Sequence, residues 1–370
     1  MVVSAMAGTT NQLVNWVHGL DAAGYDTAEY DQVVASGEQV SVGLLAIALQ
    51  TLGVPARSFL GWQAGFRTDA AYSKARILEV DPAPVRACLA AGQVAVVAGF
   101  QGMGPEGRVT TLGRGGSDTS AVALAAALKA DRCDIFTDVD GVYTTDPRIV
   151  AKARKIDRIT YEEMLEMASL GAKVLQTRSV ALAMQHHVRV QVLSSFEDRP
   201  GTLVVDEDEI VESQIVSGIA YSRDEARITV LGVKDRPGVA AAIFGPLSGS
   251  GINVDMIVQS VSRDGEYANL TFTVTRADLP RALAVLERAK SDIGYERVVA
   301  DADVVKISIV GVGMRSHAGI AHQMFAALAA KGINIHAIST SEIKVSVLIG
   351  EEYNELALRT LHTAYGLDRD

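Results

Sequence analysis

Apolar positions follow two different periods along the first half of the chain. Short β-branched runs predict buried strands at residues 94–98, 134–137 and 188–193. Longer stretches rich in alanine and leucine predict helices at residues 40–52, 119–130 and 161–169. Strands that alternate with helices are typical of a largely parallel sheet covered by helices. We therefore predict an α/β domain at 1–196, with an open, largely parallel sheet between helix layers.

The second half of the chain contains an internal repeat. Turn-forming and acidic residues at 197–209 interrupt the first pattern, and we assign 197–214 to a linker. Beyond it, one offset of 81 residues separates three pairs of equivalent positions: Gly238 and Gly319, Gly251 and Gly332, and Asn253 and Asn334. Each copy has the order strand, glycine turn, amphipathic helix and second strand. This order predicts two ferredoxin-like βαββαβ units at 215–300 and 301–370, with 216–221 open to exchange into the second unit.

Composition narrows the class of protein. A formal net charge of −10 repels a phosphate backbone, so we expect no nucleic-acid partner. No uninterrupted apolar run approaches the ~20 residues of a membrane helix, so we expect no membrane partner. The N-terminus lacks the features of a signal peptide, and Cys88 and Cys133 lack the spacing of metal ligands. These features indicate a cytoplasmic protein with two reduced cysteines.

The stretch Thr110–Ser120 combines three glycines, an arginine, an aspartate and several hydroxyls at the start of an alanine-rich helix. Glycines before a helix let backbone N–H groups converge on an anion, which the helix dipole also attracts. Arg114 can grip a carboxylate or a phosphate with two parallel hydrogen bonds. A plain helix cap by Ser117 or Asp118 is the alternative. The combination favours an anion-binding site.

Three further polar segments lie where predicted strands meet predicted helices. They are Ser4–Asn11, Ser36–Glu38 ahead of the helix, and Thr137–Arg148. Open α/β sheets bind ligands at the C-terminal ends of their strands, so we expect these segments and the glycine-rich stretch to share one cleft. A calcium loop is excluded in the last segment, because Phe136 and Pro147 would occupy ligand positions.

Other patterns indicate no site. Gly102–Gly107 matches G-x-G-x-x-G, but Pro105 and the polar residues after it do not begin an apolar helix, so we interpret it as a loop. No Gly-Lys dipeptide occurs, which excludes a Walker A loop. His186 and His187 lack a second cluster of metal ligands, and we interpret them as structural or solvent-facing.

Together these segments resemble the aspartate kinase family, which has the amino-acid kinase fold. TTLGRGGSDT, TDVDGVYTTDPR, SAMAGTTNQL, the SGE tripeptide and GAKVL carry the resemblance, and the repeated half is similar to the family's paired ACT regulatory domains. The resemblance implies phosphoryl transfer from ATP to the β-carboxylate of L-aspartate, giving 4-phospho-L-aspartate for lysine, threonine and methionine biosynthesis. An amino-acid kinase acting on glutamate or UMP is disfavoured, because GRGGSDT and the ACT pair occur together.

The resemblance also implies roles for individual residues. As catalytic residues, Arg114 holds the α-carboxylate of aspartate and Asp118 lies near the transferring phosphoryl group. Further substrate-binding residues are Ser4, Thr10, Glu38, Gly115, Gly116 and Ser117, with Glu38 on the ammonium group. The ATP site includes Thr137, Asp138, Tyr143, Arg148 and Lys173. Mg²⁺ is the implied cofactor, held chiefly by ATP oxygens and water, with no protein ligand assigned. No catalytic histidine is needed, because the aspartate carboxylate is already ionised at neutral pH.

Feedback inhibition through the ACT domains is a further implication of the resemblance. The implied effector residues are Asp235, Ala240, Asn253, Asp255, Gln259, Asn334 and Ile335. Lysine, threonine or both are the implied effectors, and the choice stays open because Ala321 and Gln323 stand where some relatives carry threonine and glutamate. ACT pairing implies a homo-oligomer, at least a dimer. Plain turn and strand-end chemistry is the alternative for these residues.

One family segment has no counterpart after Met1. The family opens with a strand that ends in Lys-Phe/Tyr-Gly-Gly, whose lysine and glycines contact the ATP phosphates. We therefore expect a native start upstream of Met1 and little activity from the 370-residue chain itself. A catalytically impaired, amino-acid-sensing regulatory subunit is the alternative function.

Overall fold

The chain divides into two compact units. A computed structural model describes residues 1–21, 24–171, 174–210, 214–262 and 265–369. The first unit comprises Met1–Val142, Asp157–Ala168 and Lys173–Ile210, and the second comprises Tyr143–Ile156, Ser169–Ala172 and Val211–Asp370. The chain therefore contributes segments of its first half to both units.

Helices and strands are interspersed from Met1 to Ile210. The helices are α1 (Thr9–Leu20), α2 (Thr27–Val34), α3 (Ser36–Thr51), α4 (Ala83–Ala90), α5 (Gly116–Leu128), α6 (Tyr161–Ser169) and α7 (Thr177–His186). The strands are β1 (Val2–Val3), β2 (Ala56–Phe59), β3 (Phe66–Thr68), β4 (Ile77–Val80), β5 (Val94–Ala98), β6 (Gln101–Met103), β7 (Val109–Thr111), β8 (Cys133–Thr137), β9 (Arg158–Thr160), β10 (Val190–Ser194) and β11 (Thr202–Val205). All the helices and strands predicted for this half are present.

Parallel pairing dominates two sheets of the first unit. One has the order β1-β5-β2 with all strands parallel, and the other has the order β8-β10-β11-β9 with only the β10–β11 pair antiparallel. Both faces of β5 are covered: Val96 packs in a cluster with Val42 of α3, and Val97 packs in a cluster with Ala123 of α5. This burial on both faces explains why β5 is a continuous apolar run in the sequence.

The structure corrects two predictions for short segments. The expectation that Ser36–Glu38 precedes the helix is wrong: α3 begins at Ser36, because Ala35 joins α2 to α3 in a helical conformation. The interpretation of Gly102–Gly107 as a loop is confirmed only for residues 104–107, which lie between β6 and β7 of an antiparallel hairpin, because Gly102 and Met103 are the last two residues of β6.

The segment assigned to the linker contributes a strand to the first unit. Strand β11 (Thr202–Val205) lies within 197–214 and pairs with β10 and β9. Gly201 immediately precedes β11. A Cβ atom at Gly201 would overlap the carbonyl oxygen of Val192, so the backbone is closely packed there. The Pro-Gly turn therefore reverses the chain between β10 and β11.

The stretch Thr27–Thr51 is long and apolar enough to cross a membrane by length and composition alone, a test that core helices of soluble proteins also pass. It consists of α2 and α3, and α3 packs against β2 and β5. The stretch carries two buried carboxylates, Asp31 and Glu38. Carboxylates are costly inside a bilayer, so this packing is that of a core helix pair.

The second unit contains one continuous sheet. Its strands are β12 (Gly218–Lys234), β13 (Asp255–Val261), β14 (Tyr267–Val274), β15 (Arg297–Val310), β16 (Ala337–Thr340) and β17 (Lys344–Gly350), in the spatial order β13-β14-β12-β15-β17-β16. Its helices are α8 (Val239–Gly249), α9 (Leu279–Arg288), α10 (Lys290–Ile293), α11 (Ile320–Ala329) and α12 (Asn354–Ala364). Helices α8 and α11 begin immediately after Gly238 and Gly319, at equivalent positions of the repeat.

Strands β12 and β15 are shared between two hydrophobic cores. Gly218–Ser222 pairs with the end of β15, and Arg227–Leu231 pairs with its beginning. Val216 and Ile219 accordingly pack with Ile307 of the second core. The predicted pair of ferredoxin-like units is thus confirmed as a fold, and residues 216–221 belong to the second core by packing.

The hairpin Tyr143–Ile156 also packs in the second core. Val150 is buried there. The Thr144 hydroxyl lies 2.9 Å from Nε2 of His362 on α12, and Arg154 donates from Nε to the carbonyl oxygen of Leu367 at 2.9 Å. One buried hydrogen bond to α12 and one partly buried hydrogen bond to Leu367, beyond the end of α12, therefore hold this hairpin.

Candidate active site

The C-terminal ends of β1 and β5 meet the first turns of α3 and α5. Gly99, just after β5, donates from its backbone N–H to the carbonyl oxygen of Val3 at 3.0 Å. A Cβ atom on Gly99 would lie 3.0 Å from the Ser117 side chain, so the two backbones are in close contact. Ala5 donates its N–H to Oε1 of Glu38 at 3.0 Å. The structure thus brings the segment after β1, Glu38 and Ser117 to one edge of the sheet.

The glycine-rich stretch turns sharply between β7 and α5. Gly113 and Gly115 have φ values of 77° and 69°, in the left-handed region that favours glycine. Gly115 is the N-cap residue of α5, and no side chain among the described residues caps this helix. The alternative of a plain cap by Ser117 or Asp118 is therefore wrong, because both residues lie within the first helical turn. The backbone N–H groups of that turn can donate hydrogen bonds to a bound anion.

Glu38 is a buried carboxylate with a free oxygen. Its relative exposure is 3%, and within the described residues its Oε2 atom has no hydrogen-bond partner. Burial raises the pKa of Glu38, and the hydrogen bond from Ala5 partly opposes this effect. A buried carboxylate oxygen without a donor is costly. A ligand that brings a positively charged donor, such as an ammonium group, would relieve that cost.

Asp118 is a second carboxylate without a compensating charge. It lies in the first turn of α5, where burial raises its pKa to about 6. Across the part of the chain that the structure describes, no hydrogen bond or ion pair involves this carboxylate. An adjacent cation would favour its ionised form. Asp118 therefore fits a site that receives a cation together with its ligand.

Arg114 supplies the opposite charge. Its side chain is exposed between Gly113 and Gly115, and it takes part in no hydrogen bond or ion pair with any described residue. Some other surface arginines in this unit do have partners, for example Arg132 on Asp134. The Arg114 guanidinium is therefore available for a carboxylate or a phosphate. Two carboxylates and one arginine on adjacent helix starts suit a zwitterionic ligand.

The predicted nucleotide residues are distributed over both units. Thr137 ends β8, and its hydroxyl donates to Oδ1 of Asp138 at 3.2 Å in the first unit. Tyr143 and Arg148 belong to the hairpin of the second unit, where Arg148 pairs with Asp146 at 2.8 Å. Lys173 lies outside the described residues. The ATP site, and the role of Thr10 in the first helix, stay predictions.

The predicted effector residues lie within β13, in the first turn of α8, and in the segments that precede α8, β13 and β16. Asp235 and Gln259 come within 3.5 Å of each other through Oδ1 and Nε2. Asn253 and Asn334 are exposed at equivalent positions of the repeat. Asp255 begins β13, where Oδ2 accepts a hydrogen bond from Lys306 at 2.8 Å. Effector binding by these residues, and by Ala240 and Ile335, stays a prediction.

Family models agree with this architecture. The amino acid kinase family matches residues 1–194, and ACT domains match residues 227–291 and 307–365. The fold and the site therefore define an amino acid kinase joined to two ACT domains. This confirms the predicted fold class.

Individual relatives identify the branch of the family. The aspartate kinase of Pseudomonas fluorescens is 56% identical over 370 residues, which are 100% of this chain and 89% of that protein. The structure of Escherichia coli aspartokinase III with lysine and aspartate is 28% identical in sequence and has a TM-score of 0.78. The match covers 99% of this chain and 92% of the E. coli chain. The structure of the same E. coli enzyme with aspartate and ADP is 29% identical in sequence and has a TM-score of 0.76. That match covers 96% of this chain and 80% of the E. coli chain. The chain belongs to the aspartate kinase family.

Proposed function

We propose that this protein transfers the γ-phosphoryl group of ATP to the β-carboxylate of L-aspartate in the cytoplasm, giving 4-phospho-L-aspartate for lysine, threonine and methionine biosynthesis. The free Oε2 atom of buried Glu38 is the observation that carries the proposal. It offers a site for the substrate ammonium group, while unpaired Arg114 offers a site for the α-carboxylate. The E. coli relative was solved with aspartate in two complexes, which supports the same ligand here.

Binding at these two charges orients the substrate. An amino acid held at both its ammonium and its α-carboxylate groups presents its side chain in one direction. The β-carboxylate is ionised at neutral pH and needs no general base, so holding it in line with the phosphoryl group provides much of the rate enhancement. The N–H groups of the first turn of α5 stabilise negative charge at this position.

ATP and Mg²⁺ are the proposed cosubstrate and cofactor. Bound ATP supplies the phosphoryl group, and Mg²⁺ neutralises its charge. Asp118 fits a cation-bearing ligand, because its half-buried carboxylate has no hydrogen bond or ion pair to the described residues. We assign Asp118 to orienting the cations around the phosphates. Thr137, Asp138, Tyr143, Arg148 and Lys173 are the proposed nucleotide-binding residues.

Hydroxamate formation tests the proposed reaction. The protein is incubated with ATP, Mg²⁺ and hydroxylamine, with aspartate, glutamate or UMP as acceptor. We expect aspartate-dependent product, and aspartate binding in calorimetry. Equal turnover with glutamate, or absence of aspartate binding, would refute the proposal.

Replacing Glu38 by glutamine tests the ammonium site. The variant Glu38→Gln keeps the shape but loses the negative charge, so we expect the KM for aspartate to rise about 30-fold, the scale of one hydrogen bond to a charged group. The KM for ATP should change less than about twofold. Burial raises the pKa of Glu38, so glutamine should also leave the thermal stability unchanged or higher. An unchanged KM for aspartate would remove Glu38 from the site.

Regulation by amino acids is part of the proposal. We propose that lysine, threonine or both bind between ACT domains of a homo-oligomer through Asp235, Ala240, Asn253, Asp255, Gln259, Asn334 and Ile335. The E. coli relative solved with lysine supports this class of effector. Titration of the active form with lysine and threonine, separately and together, identifies the inhibitor. Mass measurement in solution, with and without effector, identifies the oligomer.

A further inference from the structure

Two oppositely charged side chains lie beneath the glycine-rich stretch. Asp31 of α2 is fully buried, and it accepts hydrogen bonds from the Thr111 N–H at 2.7 Å and the Thr111 hydroxyl at 2.6 Å. Arg178 of α7 donates from Nη1 to the carbonyl oxygen of Leu112 at 2.8 Å. The two residues immediately before Gly113 are thus held by charges that come from two different helices.

The same two side chains hold a neighbouring turn. The Ser73 N–H lies 2.9 Å from Oδ2 of Asp31, and Arg178 donates from Nη2 to the carbonyl oxygen of Ala75 at 2.7 Å. Ala75 in turn donates its N–H to the carbonyl oxygen of Thr111 at 2.9 Å. The turn and the strand end are therefore joined three times, once directly and once through each charge.

This turn has an unfavourable backbone conformation. Ser73 has a φ value of 66°, which residues other than glycine rarely adopt. A Cβ atom on Gly113 would lie 3.0 Å from the Ser73 carbonyl oxygen, so the turn touches the glycine-rich stretch itself. Strained conformations persist only where the surroundings fix them. Asp31 and Arg178 provide that fixation.

We propose that Asp31 and Arg178 are positioning residues that set the backbone before Arg114 and thereby the affinity for aspartate. The inference rests on the proposed function. Charge and geometry both matter, because Asp31 receives donors on both carboxylate oxygens and Arg178 bridges two carbonyl groups with one planar fork. Asparagine has one acceptor oxygen, and lysine has no fork.

The variants Asp31→Asn and Arg178→Lys test this role. We expect the KM for aspartate to rise about tenfold in each, from one weakened charge-assisted contact, with the KM for ATP changed less than about twofold. Backbone amides of residues 112–118 should exchange hydrogen faster than in the unsubstituted protein. The matched control is Glu29→Gln on the same helix, which removes only an exposed ion pair with Arg108 and should change none of these values.

The outcomes separate positioning from a purely structural role. An unchanged KM for aspartate would overturn the inference. An equal rise in both KM values, together with faster hydrogen exchange throughout the first unit, would also overturn it. Should Asp31→Asn not fold, Thr111→Val removes only the hydroxyl bond to Asp31 and is measured in the same way. If the unsubstituted protein binds no aspartate, the proposed function fails, and exchange at 112–118 still decides whether these charges order the stretch.

Discussion

Replacing Arg114 by alanine is expected to raise the KM for aspartate at least about 100-fold. A bidentate pair between a guanidinium and a carboxylate contributes two charge-assisted hydrogen bonds, each about 1.5–3 kcal/mol, and alanine removes both. Arg114 is exposed and has no partner among the described residues, so the melting temperature should not change. Steady-state hydroxamate assays at saturating ATP, together with calorimetric binding of aspartate, measure the effect.

Two further variants make the Arg114 result specific. Arg114→Lys keeps the charge without the planar fork, so we expect it to recover only part of the affinity. Arg132→Ala removes an arginine that pairs with Asp134 on the same unit, and it should leave both KM values unchanged. If Arg114→Ala bound aspartate as tightly as the unsubstituted protein, the α-carboxylate would have to be held elsewhere.

The elements that the sequence predicts well are those with a strong local signal. Residues 94–98 form a continuous apolar run because both faces of β5 are buried. The repeat of the second half is visible because two cores need the same glycine turns. The sequence pattern instead predicts a linker at β11, because four residues after a Pro-Gly turn carry little periodic signal and the strand forms by pairing with β9 and β10.

The same distinction applies to the candidate site. Gly113 and Gly115 are recognisable because a positive φ angle demands glycine at the residue itself. Asp31 has no such signal, because the groups that it binds lie 42 and 80 residues away along the chain. The hairpin Tyr143–Ile156 is likewise placed by buried contacts with α12, more than 200 residues later. Contacts at such separations depend on the folded topology, so no local sequence pattern predicts them.

Replacing Asp118 by asparagine is expected to stabilise the fold while abolishing most activity. Burial raises the pKa of Asp118 from its ordinary value of 3.8 to about 6. Between these pH values the folded state holds a proton that the unfolded state has lost, so stability falls as the pH rises through this window. Asparagine removes this loss, and we expect a gain of about 1–3 kcal/mol above pH 6 that disappears below pH 4. Denaturant titrations from pH 4 to pH 8 measure it, with Asp134→Asn as the exposed control.

The activity of Asp118→Asn tests whether the ionised Asp118 carboxylate, which lowers the stability of the fold, is needed for catalysis. If ionised Asp118 orients the cations around the phosphates, kcat should fall about 100-fold or more in Asp118→Asn, the scale of losing one preorganised electrostatic contact. In the unsubstituted protein, kcat/KM should fall about tenfold per pH unit below pH 6, because it reports the free enzyme. The variant should lose that acid limb while retaining its affinity for aspartate. A fully active Asp118→Asn with the original pH profile would show that this carboxylate is buried for packing alone.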